Sequence, residues 1–99
     1  MQFLIIARDG KDADALDRRM KARDAHLEGV KKMHAAGEMI EGGAVLDDEG
    51  KMVGSCCIVE FPSREELDAW LGSDPYVTGG VWQEIEVHPF RVAPLGQRR

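Results

Sequence analysis

The sequence predicts an α+β domain with one antiparallel four-stranded sheet and two main helices. Three features predict it: an apolar β-rich segment at the start, two further β-rich segments joined by a tight turn, and helical apolar spacing in two stretches between the strands. With an alternating segment near the end, the element order is β-α-β-β-α-β. This order is that of the ferredoxin-like βαββαβ sandwich, in which both helices cover the same face of the sheet.

The first strand is predicted for residues 2 to 8, QFLIIAR. Both its odd and its even positions are apolar, which is the pattern of a strand covered on both faces. The third strand shares this property, with Cys56 and Ile58 on one side and Cys57 and Val59 on the other. Because the helices cover only one face, we expect a second copy of the chain on the other, as a homodimer that pairs sheet against sheet.

The longest helix is predicted from about residue 13 to residue 36, after turn and helix-start chemistry in DGKDAD. Gly37 is a suitable residue to end it. The apolar stripe is interrupted around Arg23 and Asp24, which predicts a kink or a break at that point. The apolar residues recur at helical spacing and are Leu16, Met20, Leu27, Val30 and Met33.

The second half of the chain predicts a β-hairpin, a helix and a last strand. The hairpin strands span roughly 38–46 and 52–61 and are joined by DDEGK. Ser63 is a good N-cap for the helix that follows, and the glutamate three residues later completes a capping box. The stretch SDPYVTGG is typical of a turn, in which Pro75 stops this helix and the glycines release the chain into the strand WQEIEVHPFRV.

Composition restricts the partners and the compartment. The 99 residues are enough for one domain, predicted over 1–93, with a loose tail over 94–99. The formal charge of -5 argues against nucleic acid as the main partner, since phosphate binding needs a basic surface. We expect no membrane span, no signal peptide and no metal site, because no apolar run or zinc-ligand pattern has the required length or spacing. The adjacent cysteines predict two reduced thiols in a cytoplasmic protein.

Several polar residues are candidates for chemistry, and each has a structural alternative. His26 lies at the edge of the apolar stripe of the long helix, where a histidine is commonly a packing or surface residue. Asp74 precedes a proline, and SDP is common turn chemistry. Gly42 and Gly43 indicate either a bulge or a close approach of backbone or ligand. Ser55 has no base beside it in the sequence, so a serine nucleophile is not supported.

Taken together, the motifs resemble those of the YciI-like (YCII-related) family. They are FLIIARDG, R-x-x-HL, GGAVLDDEGKMVGS, F-x-S-x-E-E-L-x-x-W and DPYVTGGVW, which occur in this order over about residues 1 to 93. The resemblance implies a ferredoxin-like fold that forms a dimeric α+β barrel. It also implies a His–Asp pair in a pocket, which falls on His26 and Asp74, and lyase chemistry of the dehydrochlorinase type on phenolic rings without a cofactor or a metal.

Two functions follow as expectations, with a third less supported. In the first, a small cofactor-free enzyme uses His26 as general acid or base and Asp74 to orient it. Hydrogen-bond donors near the bound small molecule would be Arg23, Ser55, Tyr76, Gly42 and Gly43. In the second, the same pocket belongs to a non-catalytic small-ligand binder or regulatory interaction module. The third is a monooxygenase-like barrel protein, for which no second catalytic pattern stands out.

Overall fold

Four strands form one antiparallel sheet, as the ferredoxin-like prediction requires, and from one edge to the other they are Met39–Leu46, Met52–Glu60, Gln2–Asp9 and Trp82–Phe90. The computed structural model describes residues 1–96, so the last part of the predicted 94–99 tail lies outside the described residues. Residues 93–96 have no regular secondary structure. The elements are β1 Gln2–Asp9, α1 Ala15–Ala35, β2 Met39–Leu46, β3 Met52–Glu60, α2 Arg64–Ser73, α3 Pro75–Thr78 and β4 Trp82–Phe90.

Helix α1 is continuous, and the break predicted near Arg23 and Asp24 is wrong. The apolar stripe is interrupted there because the helix turns polar side chains toward the sheet over this segment. Arg19 is buried with 3% of its surface exposed, and Arg23 is half-buried. The gap in the hydrophobic pattern therefore marks a buried polar site rather than a change in the backbone.

The segment after α2 contains a short helix that the turn prediction missed. Ser63 accepts a hydrogen bond from the Glu66 amide at 3.2 Å, which confirms the predicted N-cap of α2. Pro75 then opens α3, where its missing N–H is not needed. Asp74 is the N-cap of α3, and its carboxylate accepts the Tyr76 amide at 2.9 Å. Pro75 thus separates two helices, and Gly80, at φ +69°, returns the chain toward β4.

A β-bulge at the start of β4 decides where Trp82 points. Arg8 pairs with Glu84, but the next residue, Asp9, pairs with Trp82, so Gln83 is an extra residue in β4. Without it, Trp82 would share the outer face of the sheet with the glutamates of β4. The bulge instead places Trp82 on the helix face, where it is buried at 6% exposure.

The core lies between the sheet and the helices. The larger cluster combines residues of all the strands with α1 and α2, and a smaller one joins β1 and β4 to α3. On the opposite face, Leu4 pairs with Ile58 and Ile6 with Cys56, and these four side chains are only half-buried. They form an apolar patch that none of residues 1–96 covers completely. Within the described residues, none of the helices is long and apolar enough to cross a membrane.

Candidate functional site

His26 and Asp74 form a hydrogen-bonded pair at the junction of α1, α2 and α3. The Nδ1 atom of His26 lies 2.8 Å from one carboxylate oxygen of Asp74 and 3.1 Å from the other. The side chains are 12% and 3% exposed, respectively. Because a carboxylate only accepts hydrogen bonds, Nδ1 carries the proton of the ring. Nε2 is therefore the nitrogen that can take a proton from a ligand.

Tyr76 and Trp82 hold the imidazole ring in place. The ring of Tyr76 stacks on His26 with a centroid separation of 3.7 Å and an interplanar angle of 13°. The indole of Trp82 meets the imidazole edge-on, with centroids 5.7 Å apart. Asp74 fixes one edge of the imidazole while Tyr76 covers one face, so the orientation of Nε2 is determined by the fold. Burial of Tyr76 raises the pKa of its phenol, which keeps it in the neutral form.

A second buried polar group lies beside the pair, and Ser55 is the one of its members that the sequence predicted as a ligand contact. The Arg19 guanidinium donates from Nη1 to both carboxylate oxygens of Asp9, each at 3.0 Å. Its Nη2 donates to Ser55 Oγ at 2.9 Å, and Trp82 Nε1 donates to the same oxygen at 3.1 Å. Asp9, Arg19, Ser55 and Trp82 are together called the serine network below. The two charged side chains are each only 3% exposed.

Arg19 also contacts the aromatic ring of Tyr76. Its guanidinium carbon lies 4.7 Å from the centroid of the Tyr76 ring, which is cation–π distance. The Nε atom is buried and has no hydrogen-bond partner within residues 1–96. The sequence signal for Arg19 was its position on the same helical face as His26 and Arg23.

A cavity of about 180 Å³ opens in front of these groups. Its lining comes from α1, β2 and β3, together with the aromatic side chains Trp70, Tyr76 and Trp82. The lining includes Arg19, Arg23, His26, Leu27, Val30, Met39, Gly42, Gly43, Ser55, Cys57, Trp70, Tyr76 and Trp82. An apolar cavity of about 150 Å³ holds one benzene molecule, so this volume suits a single six-membered ring.

The residues proposed from the sequence as ligand contacts come together around this cavity. Arg23, Ser55 and Tyr76 line it together with His26, and Asp74 lies behind the imidazole. Gly42 pairs with Cys57 on the neighbouring strand, and a Cβ atom at Gly42 would come within 3.2 Å of the Cys57 Cβ, whereas the Gly43 position has open space. The bulge in β2 falls between Met39 and Glu41, and both glycines follow it. Gly42 therefore leaves room for a ligand over β3.

A larger cleft, of about 690 Å³, lies at the end of β1 and has a different character. Its lining contains Arg8, Asp12 and Lys51 but no histidine, cysteine, serine or aromatic residue. Among residues 1–96, no cluster of three or more histidine, cysteine or acidic side chains has the geometry of a metal site. The histidine of the His26–Asp74 pair therefore lines the smaller cavity and not the larger one.

The whole pattern of elements and motifs has close counterparts among known proteins. The family model of the YCII-related domain matches residues 1–91. The chain belongs to the YCII-related family. A YCII-related relative, Protein YciI of Escherichia coli, is 36% identical over 97 residues, which cover 92% of this chain and 97% of the relative. An uncharacterized protein of Haemophilus influenzae is 30% identical over the same coverage.

Among solved structures, a dehydrochlorinase from Burkholderia phenoliruptrix AC1100 superposes on this YCII-related chain with a TM-score of 0.81. It is 25% identical, and the match covers 98% of this chain and 100% of the other. That enzyme acts on 5-chloro-2-hydroxyhydroquinone, and its structure holds 2,5-dihydroxybenzoquinone. A dimeric ferredoxin-like protein from Jannaschia sp. CCS1 shares the fold, with a TM-score of 0.52 at 18% identity over 92% of this chain and 98% of the other.

Proposed function

We propose that this protein is a small lyase that removes a proton and a leaving group from a single hydroxylated ring. The observation that carries the proposal is the hydrogen bond between His26 and Asp74 at the wall of a cavity with room for one ring. The similarity to a dehydrochlorinase whose structure holds a dihydroxylated quinone supports the same class of ligand.

In this proposal, His26 is the general base or acid. The ring first gains a proton at the carbon that bears the leaving group, by keto–enol exchange. His26 Nε2 then takes the proton of a ring hydroxyl, and the Asp74 carboxylate stabilises the imidazolium that results. As this hydroxyl oxygen becomes a carbonyl, the chloride on the protonated carbon leaves with its bonding electrons. The net change is the loss of HCl, so the reaction needs no external oxidant.

The cavity offers charge and stacking that suit such a ring. Arg23 lies at its wall, and within the described part of the chain no carboxylate is in ion-pair distance of its guanidinium. It is therefore available for an ionised hydroxyl on the ligand. Trp70 and Trp82 line the cavity and provide apolar aromatic surface for the ring itself. We place the activity in the cytoplasm, where the two free cysteines would stay reduced.

Chloride release from 5-chloro-2-hydroxyhydroquinone tests the proposal. The wild-type protein is expected to release chloride, and His26→Ala to lower the rate by about 10²- to 10⁴-fold, since that is what general acid–base catalysis contributes. Asp74→Asn should also lower it while preserving the fold, because asparagine can still cap α3. His34→Ala, which changes an exposed histidine on the same helix, is the matched control and should leave the rate unchanged.

The outcomes separate the two functions considered. If His26→Ala and wild type release chloride at the same rate, the acid–base role is wrong. If the wild type binds 2,5-dihydroxybenzoquinone but releases no chloride, the protein is a ligand-binding module for this class of molecule, and the enzyme proposal fails.

A further inference from the structure

The face of α1 that lines the cavity beside His26 changes from polar to apolar along the helix. Arg19, Arg23, His26, Leu27 and Val30 all line the cavity, at spacings that place their side chains on one face of the helix. The first three carry a charge or a titratable ring, whereas the last two are hydrocarbon. At about 1.5 Å per residue this segment is about 16 Å long, so the cavity has a polar end and an apolar end.

The strands repeat this gradient. At the polar end, Ala44 of β2 pairs with Ser55, whose hydroxyl accepts a hydrogen bond from Arg19 at 2.9 Å. At the other end, Val30 of α1 packs against the core cluster that contains Met39, the first residue of β2. The polar residues of the helix therefore lie near Ser55, and its apolar residues lie near Met39.

The apolar end offers a ligand hydrocarbon contacts rather than charge. It is formed by Leu27, Val30, Met39 and Trp70, all of which line the cavity. Trp70 stacks on Phe61 with a centroid separation of 5.8 Å, and Met39 is only 5% exposed. A hydroxyl or a carboxylate placed there loses water without gaining a charged partner, whereas an alkyl group is stabilised by leaving water.

A groove of about 330 Å³ adjoins the apolar end. Val30, Met39 and Gly42 line both spaces, so the groove and the cavity meet at these residues. A side chain at Gly42 would crowd the junction, since its Cβ atom would come within 3.3 Å of Met39 Sδ. The glycine leaves this space free, and an alkyl group that outgrows the cavity continues toward the groove.

We propose that the apolar end is a subsite for a short alkyl substituent on the ring, and that Val30 and Met39 are the residues that determine this specificity. The inference rests on the proposed function for the ring and for the oxygen that faces His26. It adds that the substrate is an alkylated hydroxylated ring, with the alkyl group on the edge away from that oxygen. The direction follows from the gradient, because the cations of the lining, Arg19 and Arg23, belong to the opposite end.

The test compares two ligands that differ only in the substituent. Calorimetric titration of the full-length protein is carried out with 2,5-dihydroxybenzoquinone and with 2,5-dihydroxy-3-propyl-1,4-benzoquinone. The propyl compound is expected to bind about tenfold to a hundredfold more tightly, because each buried methylene raises the affinity about fourfold. Equal affinities, or weaker binding of the propyl compound, would overturn the inference.

Substitutions of Val30 test where this preference arises. Val30→Phe fills the subsite and should bring the ratio of the two affinities to about one. Val30→Thr replaces a methyl group with a hydroxyl, so it should lower the ratio about fourfold, and it serves if Val30→Phe fails to fold. Val53→Phe is the matched control, because Val53 is an exposed valine that lines the larger cleft and not this cavity. Its ratio should equal that of the wild type, and a wild-type ratio in Val30→Phe would contradict the assignment.

Magnetic resonance locates the substituent directly. In protein with labelled methionine methyl groups, the propyl protons should show a nuclear Overhauser effect to the methyl group of Met39, a contact that a purely structural role of Met39 would not produce. An effect to Met52, which precedes Ser55 on β3, or to no methionine would place the chain elsewhere and overturn the inference.

These results do not depend on turnover. A propyl preference that is lost in Val30→Phe, in a protein that releases no chloride, would support the inference and refute the enzyme. Chloride release together with equal binding of the two quinones would refute the inference and leave the enzyme standing. If the wild type binds neither quinone, the inference is overturned as well.

Discussion

At the scale of single residues, Asp74 has two tasks that are structurally linked. Its carboxylate caps α3 through the Tyr76 amide and accepts the Nδ1 proton of His26. The cap holds the carboxylate in one orientation, and that orientation determines the tautomer of the imidazole. The same turn chemistry that made Asp74 look ordinary in the sequence is what positions it for the histidine.

Cys57 leads to a prediction about stability at high pH. Burial raises the pKa of its thiol from 9.0 to about 12, so the folded protein keeps the proton that the unfolded chain loses above about pH 9. The free energy of unfolding should therefore fall between about pH 9 and pH 12, by up to about 1.4 kcal/mol per pH unit from this group. Urea denaturation as a function of pH measures it.

The matched variants for this prediction are Cys57→Ala and Cys56→Ala. The first should flatten the loss of stability above pH 9, because it removes the thiol whose pKa is raised. The second changes a half-buried thiol and should keep the wild-type slope. Equal slopes in the wild type and Cys57→Ala would show that burial of this thiol does not cause the fall in the free energy of unfolding above pH 9.

At the scale of elements, the strands were predicted to within about two residues, but the site on them was predicted only in part. Alternation in β4 correctly separates Ile85 and Val87 from the glutamates, yet it places Trp82 with the glutamates. The extra residue Gln83 turns the Trp82 side chain to the helix face, and no pattern in the sequence predicts that bulge. The burial of Arg19 was also not predicted. An arginine is buried only where a partner of opposite charge lies beside it, and the sequence does not show that Asp9 takes that place.

The hairpin strand β2 gives a prediction about the size of the cavity. A methyl group at Gly42 would lie 3.2 Å from the Cys57 Cβ and 3.3 Å from the Met39 Sδ. Gly42→Ala should therefore reduce stability by about 1 kcal/mol and weaken binding of 2,5-dihydroxybenzoquinone, because the added carbon crowds the cavity. Thermal unfolding and calorimetric titration measure the two effects.

Gly43 is the control for that substitution. It is the next residue of the same strand, and a methyl group there meets nothing within 4 Å. Gly43→Ala should keep the wild-type affinity. If both alanine variants bind the quinone as the wild type does, the ligand does not occupy the space over Gly42.

At the scale of the whole molecule, the apolar patch of Leu4, Ile6, Cys56 and Ile58 predicts a homodimer. These side chains lie on the sheet face away from the helices and are half-buried in the single chain. A second copy placed sheet to sheet would cover them. Sedimentation at micromolar concentration should give twice the 11.0 kDa mass of the chain.

A charge in the patch should separate the two copies. Ile6→Glu is expected to sediment as a monomer, because dimerisation would bury an unpaired carboxylate. Met20→Glu, at a 49% exposed position on the helix layer, should remain a dimer. A monomeric wild type would refute the sheet-to-sheet pairing.

The fold was predictable from the sequence because apolar spacing and turn residues agree in most of the elements, although not in α3 or at the start of β4. Ser63 and its partner Glu66 are an example in which the local signal and the structure coincide. Contacts across long stretches of chain were not predictable in this way. The residues themselves do not show that Arg19 reaches Ser55, or that Trp82 reaches the same oxygen.

The most direct test of the central claim is a crystal structure of the protein with 2,5-dihydroxybenzoquinone. The ring should lie in the cavity between α1 and the β2–β3 hairpin, with its face against the aromatic side chains that line the cavity. One ring oxygen should be within about 2.6–3.2 Å of both Ser55 Oγ and His26 Nε2, the distance for hydrogen bonding and proton transfer. A quinone bound elsewhere, or in the cavity with its oxygens turned away from both side chains, would contradict the account.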